Sequence, residues 1–421
     1  MTFSGPSAAN ARAIELRAQG QLSEAVAALR EGIADFPGDV ALHQNLAQLL
    51  YESGDVGAAV SEHRAALAIQ DTVASRIALY ELLQITGDQN EALEQQRAAL
   101  RAQRVFSHVA PHEKRSVLCL CTPGDWQANI PVDFLFDLQT TSVHKLYLVD
   151  GDHARRDLVP KHDVIWNIIA ESAEALPALA LADAYIREHR KPALNSPARV
   201  ITTSRLLLPI TLKGSGARVE TVVMADRARL QSGEVNLGFP LIARPAGSHA
   251  GHGLERIDAA SACASYAQRN PSDQYFLSPF VDYSSADGYF RKYRIVFVDG
   301  VAYPVHEAIS QNWMIHYYNA QMSDHAWMRD EEAAFLKDLR AVFDGPRSTA
   351  LDTIAQHVAL EYFGIDCTID RDGNVLVFEA DAAMLVHTSD PVDLYPYKHE
   401  YIPRIYRAVE AMIDRRKGAD T

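Results

Sequence analysis

The chain has 421 residues, 48% of them hydrophobic, and a formal charge of −14 at pH 7. That length allows two or three domains with substantial cores. The acidity argues against a nucleic-acid backbone or an anionic membrane as partner, since either favours a basic face. The opening stretch MTFSGPSAANARAIELRAQG lacks the basic start and apolar core of a signal peptide, and no long apolar run follows, so a cytoplasmic protein is expected. Cys119, Cys121, Cys263 and Cys367 form no CxxC pair and read as reduced core thiols.

Residues 8–107 are rich in Ala, Leu, Glu and Gln, the composition of helices. AQGQLSEAVAALREGI, ESGDVGAAVSEHRAAL and ITGDQNEALEQQRAAL repeat with Gly20, Gly54 and Gly87 in phase, and with Ala25, Ala59 and Ala92 in the same phase. Small residues at these positions are expected to let neighbouring helices approach closely. Pro37 and Gly38 end the first unit, and Asp39 is placed to cap the next helix. The period resembles that of tetratricopeptide repeats, helix pairs that bury their apolar faces only by stacking, and three repeats are expected. Residues 1–112 carry eight arginines, no lysine and thirteen acids. A concave face of that charge suits a peptide or protein of basic character; the alternative is a scaffold that packs on the rest of the chain or dimerises.

From His112 to Arg190, apolar runs of strand length (Ser116 to Cys121, Val143 to Val149, Val164 to Ile169) precede a helical stretch, Ala173 to His189. Strands alternating with helix suggest a small α/β domain with a parallel sheet. Pro123-Gly124-Asp125 and Asn129 follow the first strand, where such sheets bind ligands, although Pro-Gly-Asp is equally a plain turn.

Tyr362 to Leu385, YFGIDCTIDRDGNVLVFEADAAML, reads as two strands, Ile365 to Ile369 and Val375 to Glu379, joined by Arg371-Asp372-Gly373-Asn374. A four-residue loop puts Asp366 opposite Glu379, with Asp381 on the same face if the strand continues. Like charges opposite one another are destabilising, so the three acids either face solvent at a sheet edge or share a cation. Oxygen-only ligands suit Mg²⁺ or Mn²⁺ with nucleotide phosphates rather than zinc. The hairpin resembles the metal-binding hairpin of the ATP-grasp superfamily, with Asp381 where that family usually has Asn.

Four further segments fit the same resemblance. Asn195, Pro197 and Arg205 match the end of the family's N-terminal domain, where a basic residue reaches ATP phosphate. In FPLIARPAGSHAGHGLERI, Arg244 ends a strand and Gly247, Gly251 and Gly253 bracket a loop whose backbone N–H groups can close around phosphate. The alternative is an ordinary hairpin, with His249 and His252 as exposed polar residues. YFLSPF, Tyr275 to Phe280, matches the strand and hinge that meet adenine, although Ser278 and Pro279 stand where an acid is common. In YFRKYRIVFVDGVAYPVHEAIS, Asp299-Gly300 turns a hairpin, and Arg294 matches the arginine that faces the transferred phosphate; Arg291 and Lys292 are alternatives. His306 to Tyr318 is expected to be irregular or briefly helical, with His306 or His316 as acid/base candidates. Asp330 to Arg340, Ser348 to Phe363 and Tyr401 to Arg415 read as amphipathic helices.

The expected architecture is therefore multidomain: all-α tetratricopeptide repeats (8–107), an α/β pre-ATP-grasp domain (114–200) and an α+β ATP-grasp domain (201–415). The resemblance implies an ATP-dependent carboxylate-amine ligase working through an acyl phosphate. Asp366, Glu379 and Asp381 would hold metal, and Arg205, Arg244 and the three loop glycines would hold ATP phosphates. Arg294 and His306 would act at the reacting atoms. The repeats would recruit a peptide or protein, and the small substrates would be a carboxylate and an amine. The alternative is an inactive ATP-grasp adaptor.

Overall fold

The computed structural model describes residues 3–149, 159–248, 251–315 and 319–417. The chain divides into two compact units. One holds Met1–Phe106 with Pro123–Gln127 and Lys145–Val159; the other holds Ser107–Thr122, Ala128–His144 and Pro160–Thr421.

The first unit is built on three antiparallel helix pairs: Pro6–Ala18 with Leu22–Asp35, Val40–Glu52 with Val56–Ile69, and Val73–Thr86 with Gln89–Ala102. The two small-residue series do different work. Ala25, Ala59 and Ala92 are fully buried where helices meet, as close approach requires. Gly20, Gly54 and Gly87 have open space around an added Cβ but adopt φ of 75°, 86° and 86°. They end each first helix in a left-handed conformation that only glycine enters cheaply, and are not packing contacts. Asp39 caps as expected, its carboxylate accepting the Leu42 amide at 2.9 Å.

In the second unit, Arg115–Cys121 runs parallel to Val164–Asn167, which runs parallel to Ala193–Leu194. The first two strands are buried along their whole length, the mark of a sheet covered on both faces. The helix between them and the core begins at Leu176, not Ala173. A four-stranded antiparallel sheet is formed by Val223–Asp226, Gln274–Pro279, Leu241–Pro245 and Glu255–Ile257, in that spatial order. A second is formed by Val301–Ser310, Phe290–Val298, Tyr362–Ile369 and Val375–Asp381.

Two sequence-based boundaries move. His306 lies in the strand Val301–Ser310 and not in an irregular segment. The helix begun at Gly345 ends at Val358, where Ala359 turns left-handed (φ 51°), so Tyr362 and Phe363 belong to the acidic hairpin. Asp344-Gly345-Pro346 starts this helix, with proline in the first turn where a missing N–H costs nothing. All four cysteines are buried and none is in a disulfide. Among the described residues, no helix is long and apolar enough to cross a membrane.

Candidate functional site

The acidic hairpin is anchored before it can present anything. Asn195, left-handed at φ 57°, is fully buried, and its amide donates to the Tyr362 carbonyl at 2.7 Å and accepts from the Tyr362 amide at 2.9 Å. Its own backbone N–H reaches Glu361 at 2.7 Å, and Asn167 holds its carbonyl at 3.0 Å. The end of the parallel sheet is thereby fixed to the first residue of the hairpin. This saturates both strong main-chain groups of Tyr362 in a dry place.

Asp366 pairs with Glu379 across the hairpin and with Arg294 on the other side, and Arg294 pairs in turn with His306. Sheet alternation puts these four side chains in one row. Asp366 is 1% exposed. Arg294 grips it with two hydrogen bonds, Nε to Oδ1 at 2.8 Å and a terminal nitrogen to Oδ2 at 3.0 Å, and Lys292 adds Nζ to Oδ2 at 2.6 Å. Burial alone would raise this carboxyl, but the two cations hold it well below the usual carboxylate range. Burial, with Arg294 beside it, pushes His306 well below its usual value, so it is a neutral imidazole at physiological pH.

Arg205 follows the short helix Pro197–Ile201 and donates to Glu379. Burial works against ionisation of Glu379, but Arg205, Lys292 and Arg294 together outweigh it and the carboxyl is lowered. Arg244 ends the strand Leu241–Pro245 and is nearly buried, with its guanidinium on the hydroxyl and carbonyl of Ser248. Burial and the field of Arg205 pull it down to about 10. A buried arginine with a second guanidinium beside it favours an anion between the two.

Gly247, Gly251 and Gly253 belong to the connection of an antiparallel hairpin and all have positive φ. A Cβ on Gly253 would meet Pro245 at 2.7 Å, and the Gly253 carbonyl accepts from Tyr266 at 2.7 Å. His249 and His316 lie outside the described residues.

Asp381 extends the second strand, as expected, and its Oδ1 accepts the Ala383 amide at 2.7 Å. Burial, with Glu379 adding to it, pushes Asp381 up to about 6 against the pull of that amide. Glu171 was not anticipated from the sequence. Burial pushes it up to about 7, opposed by Arg205 and reinforced by Asp381. It stands just past Ile168 and Ala170, whose amides are held by Leu120 and Ala128 at 3.1 and 2.9 Å. The available signal was its place as the first acid after a fully buried parallel strand.

Asp366, Glu379 and Asp381 supply only oxygen donors, the chemistry of a hard divalent cation. Among the described residues they do not form a ready cage, because the first two are turned to Arg294, Lys292 and Arg205 and the third to a backbone amide. The donors fit such an ion once those cations are drawn toward an anion.

A tetratricopeptide-repeat family model matches residues 16–79, so the N-terminal region is a tetratricopeptide-repeat region. No curated protein matches the chain. Among solved structures, D-alanine–D-alanine ligase from Bacillus anthracis complexed with ATP is similar at 9% identity, with 72% of this chain and 97% of that chain covered and a TM-score of 0.45. VanG D-Ala:D-Ser ligase from Enterococcus faecalis is similar at 10% identity, with 71% and 99% covered and a TM-score of 0.43.

Proposed function

We propose that the chain is an ATP-dependent ligase of the ATP-grasp type, joining a carboxylate to an amine or other nucleophile through an acyl phosphate. The observation that carries this reading is one convergence. Arg205, Arg244, Arg294 and the carboxylates Asp366, Glu379 and Asp381 come from four separate stretches of sequence, yet they influence one another electrostatically at one place. The two small antiparallel sheets that present them agree with it.

Arg205 and Arg244 hold phosphate oxygens of ATP, and the loop Gly247 to Gly253 closes its backbone amides over them. Asp366, Glu379 and Asp381 are the residues that would hold Mg²⁺ or Mn²⁺, which when bound neutralises phosphate charge. An oxygen of the substrate carboxylate attacks the γ-phosphorus and ADP leaves. The nucleophile then attacks the carbonyl, inorganic phosphate leaves, and the proton of the nucleophile passes to a neutral base, the role assigned to His306. Arg294 stabilises the negative charge that develops in both steps. Through their acidic surplus, the repeats recruit a peptide or protein of basic character.

A second reading is an ATP-grasp adaptor without catalysis. It is favoured by the pairing of Asp366 with Arg294 and Lys292, which already neutralises the first carboxylate.

The test is calorimetric titration with a non-hydrolysable ATP analogue, with and without Mg²⁺, on the wild type and on Glu379→Ala. Mg²⁺-dependent binding that is lost in the variant, with the helical signal unchanged, supports the site. Unchanged affinity removes the metal assignment, and no binding to folded wild type leaves the adaptor.

A further inference from the structure

The last helix pair of the repeat unit does something that its repeat pattern does not call for. Tyr80 and Gln84 on Val73–Thr86, with Gln96 on Gln89–Ala102, take hold of the main chain of Pro123–Gln127, a segment that belongs to the same compact unit. The Tyr80 hydroxyl donates to the Gly124 carbonyl at 2.8 Å. The Gly124 amide donates to Gln96 Oε1 at 3.0 Å, and the Trp126 amide to Gln84 Oε1 at 2.8 Å. Gln84 is in turn steadied by its own Nε2, which donates to the Tyr80 carbonyl at 3.2 Å.

Buried glutamines are uncommon, because each desolvated amide must find partners. Gln84 is 5% exposed and Gln96 1%. Gln96 keeps the phase of His63 one repeat earlier, 33 residues before it, and lies on the last helix of the stack. A helical stack must finish in a surface that either tolerates water or is covered, and terminal repeats are atypical for this reason. Here the end is covered by peptide groups. All three contacts are to backbone atoms, so this surface reads main chain rather than side chains; the Trp126 side chain remains 57% exposed. Gln96 Nε2, in contrast, has no partner among the described residues. One buried donor left over costs free energy that the three bonds to main chain must offset.

We propose that the end face Tyr80–Gln84–Gln96 is a main-chain-reading docking site that the chain fills with its own residues Pro123–Gln127. In sequence the bound segment comes shortly after the buried strand Arg115–Cys121. The repeats thus hold this loop in addition to any partner they recruit. The proposal stands apart from the ligase reading and survives its failure.

Hydrogen-exchange mass spectrometry on the full chain tests it. In the wild type, the peptide containing Gly124 and Trp126 exchanges slowly. In Gln84→Leu/Gln96→Leu it exchanges about tenfold faster or more, as expected for loss of such bonds, while the helices Val73–Thr86 and Gln89–Ala102 keep their protection. Tyr80→Phe removes a single hydroxyl without disturbing the helix face and gives a smaller acceleration of the same peptide. Gln96→Glu retains the acceptor and restores slow exchange. Wild-type amides that exchange at the rate of free peptide overturn the proposal. So does unchanged exchange in Tyr80→Phe, or in the double variant with intact helices.

Discussion

Asp366 and Glu379 stand directly opposite one another, although five residues, 370–374, separate their strands and a plain five-residue connection would slip the pair by one. Phe378 makes up the difference. Cys367 pairs with Val377 and Asp366 with Glu379, so Phe378 is bulged out, its ring 5.1 Å from that of Tyr283. A bulge restores the facing and adds local twist, a frequent device beside functional groups.

Asp366→Asn should be strongly destabilising, because it removes the buried counter-charge of the half-buried cations Arg294 and Lys292. Breaking one side of a buried ion pair costs about 3–5 kcal/mol. Urea denaturation should show a loss of that order, partly recovered in Asp366→Asn/Lys292→Met. A loss below about 1 kcal/mol, the range of an exposed pair, would mean that the cluster is solvated.

Two glycines of one loop should respond differently to alanine. Gly247 has open space and φ 75°, so Gly247→Ala should cost about 1 kcal/mol of backbone strain. Gly253→Ala adds a collision with Pro245 and with Asn270 at 3.0 Å, for a total of about 2–4 kcal/mol. Thermal melts of the two variants side by side decide this, and equal losses would refute the packing argument.

Arg244→Met removes a nearly buried cation from the phosphate position while keeping much of its bulk. Affinity for the ATP analogue should fall at least about tenfold, as for a lost charge-assisted bond, with the helical spectrum intact. Affinity within twofold of wild type would exclude Arg244 from the phosphate site.

Glu307 gives a pH prediction. It is buried on the opposite face of its strand from His306, 3.9 Å from Arg291 and close to Tyr293, Glu331 and Glu332. Burial, then the charge of Glu331, raises it well above the usual glutamate value of 4.5, and Glu332 is raised by burial as well. A carboxyl raised in the folded state binds a proton that the unfolded chain has released. Its contribution is therefore fully present below about 4.5 and lost as pH rises toward the folded value. Wild type should lose stability over that window by up to about 1.4 kcal/mol per pH unit relative to Glu307→Gln. Chemical denaturation at pH 5 and pH 8 reads the difference, and parallel profiles would contradict the assignment.

The sequence by itself determined what depends on neighbours along the chain. The helix pairs follow from a period of about 33 residues, and the turn Asp299-Gly300 from two residues suited to positive φ. The opposition of Asp366 and Glu379 follows from strand alternation, even though a bulge rather than a shorter loop achieves it. The tertiary structure alone decided the partners. Arg205 meets Glu379 from 174 residues away, and Arg294 meets Asp366 from 72. Glu171 comes under the influence of Asp381, and the Pro-Gly-Asp turn is held by side chains of the repeat unit. Turn chemistry and hydrophobic period are local and leave a mark in sequence. The neutralisation of a buried charge depends on which distant strand lies beside it, and no spacing along the chain records that.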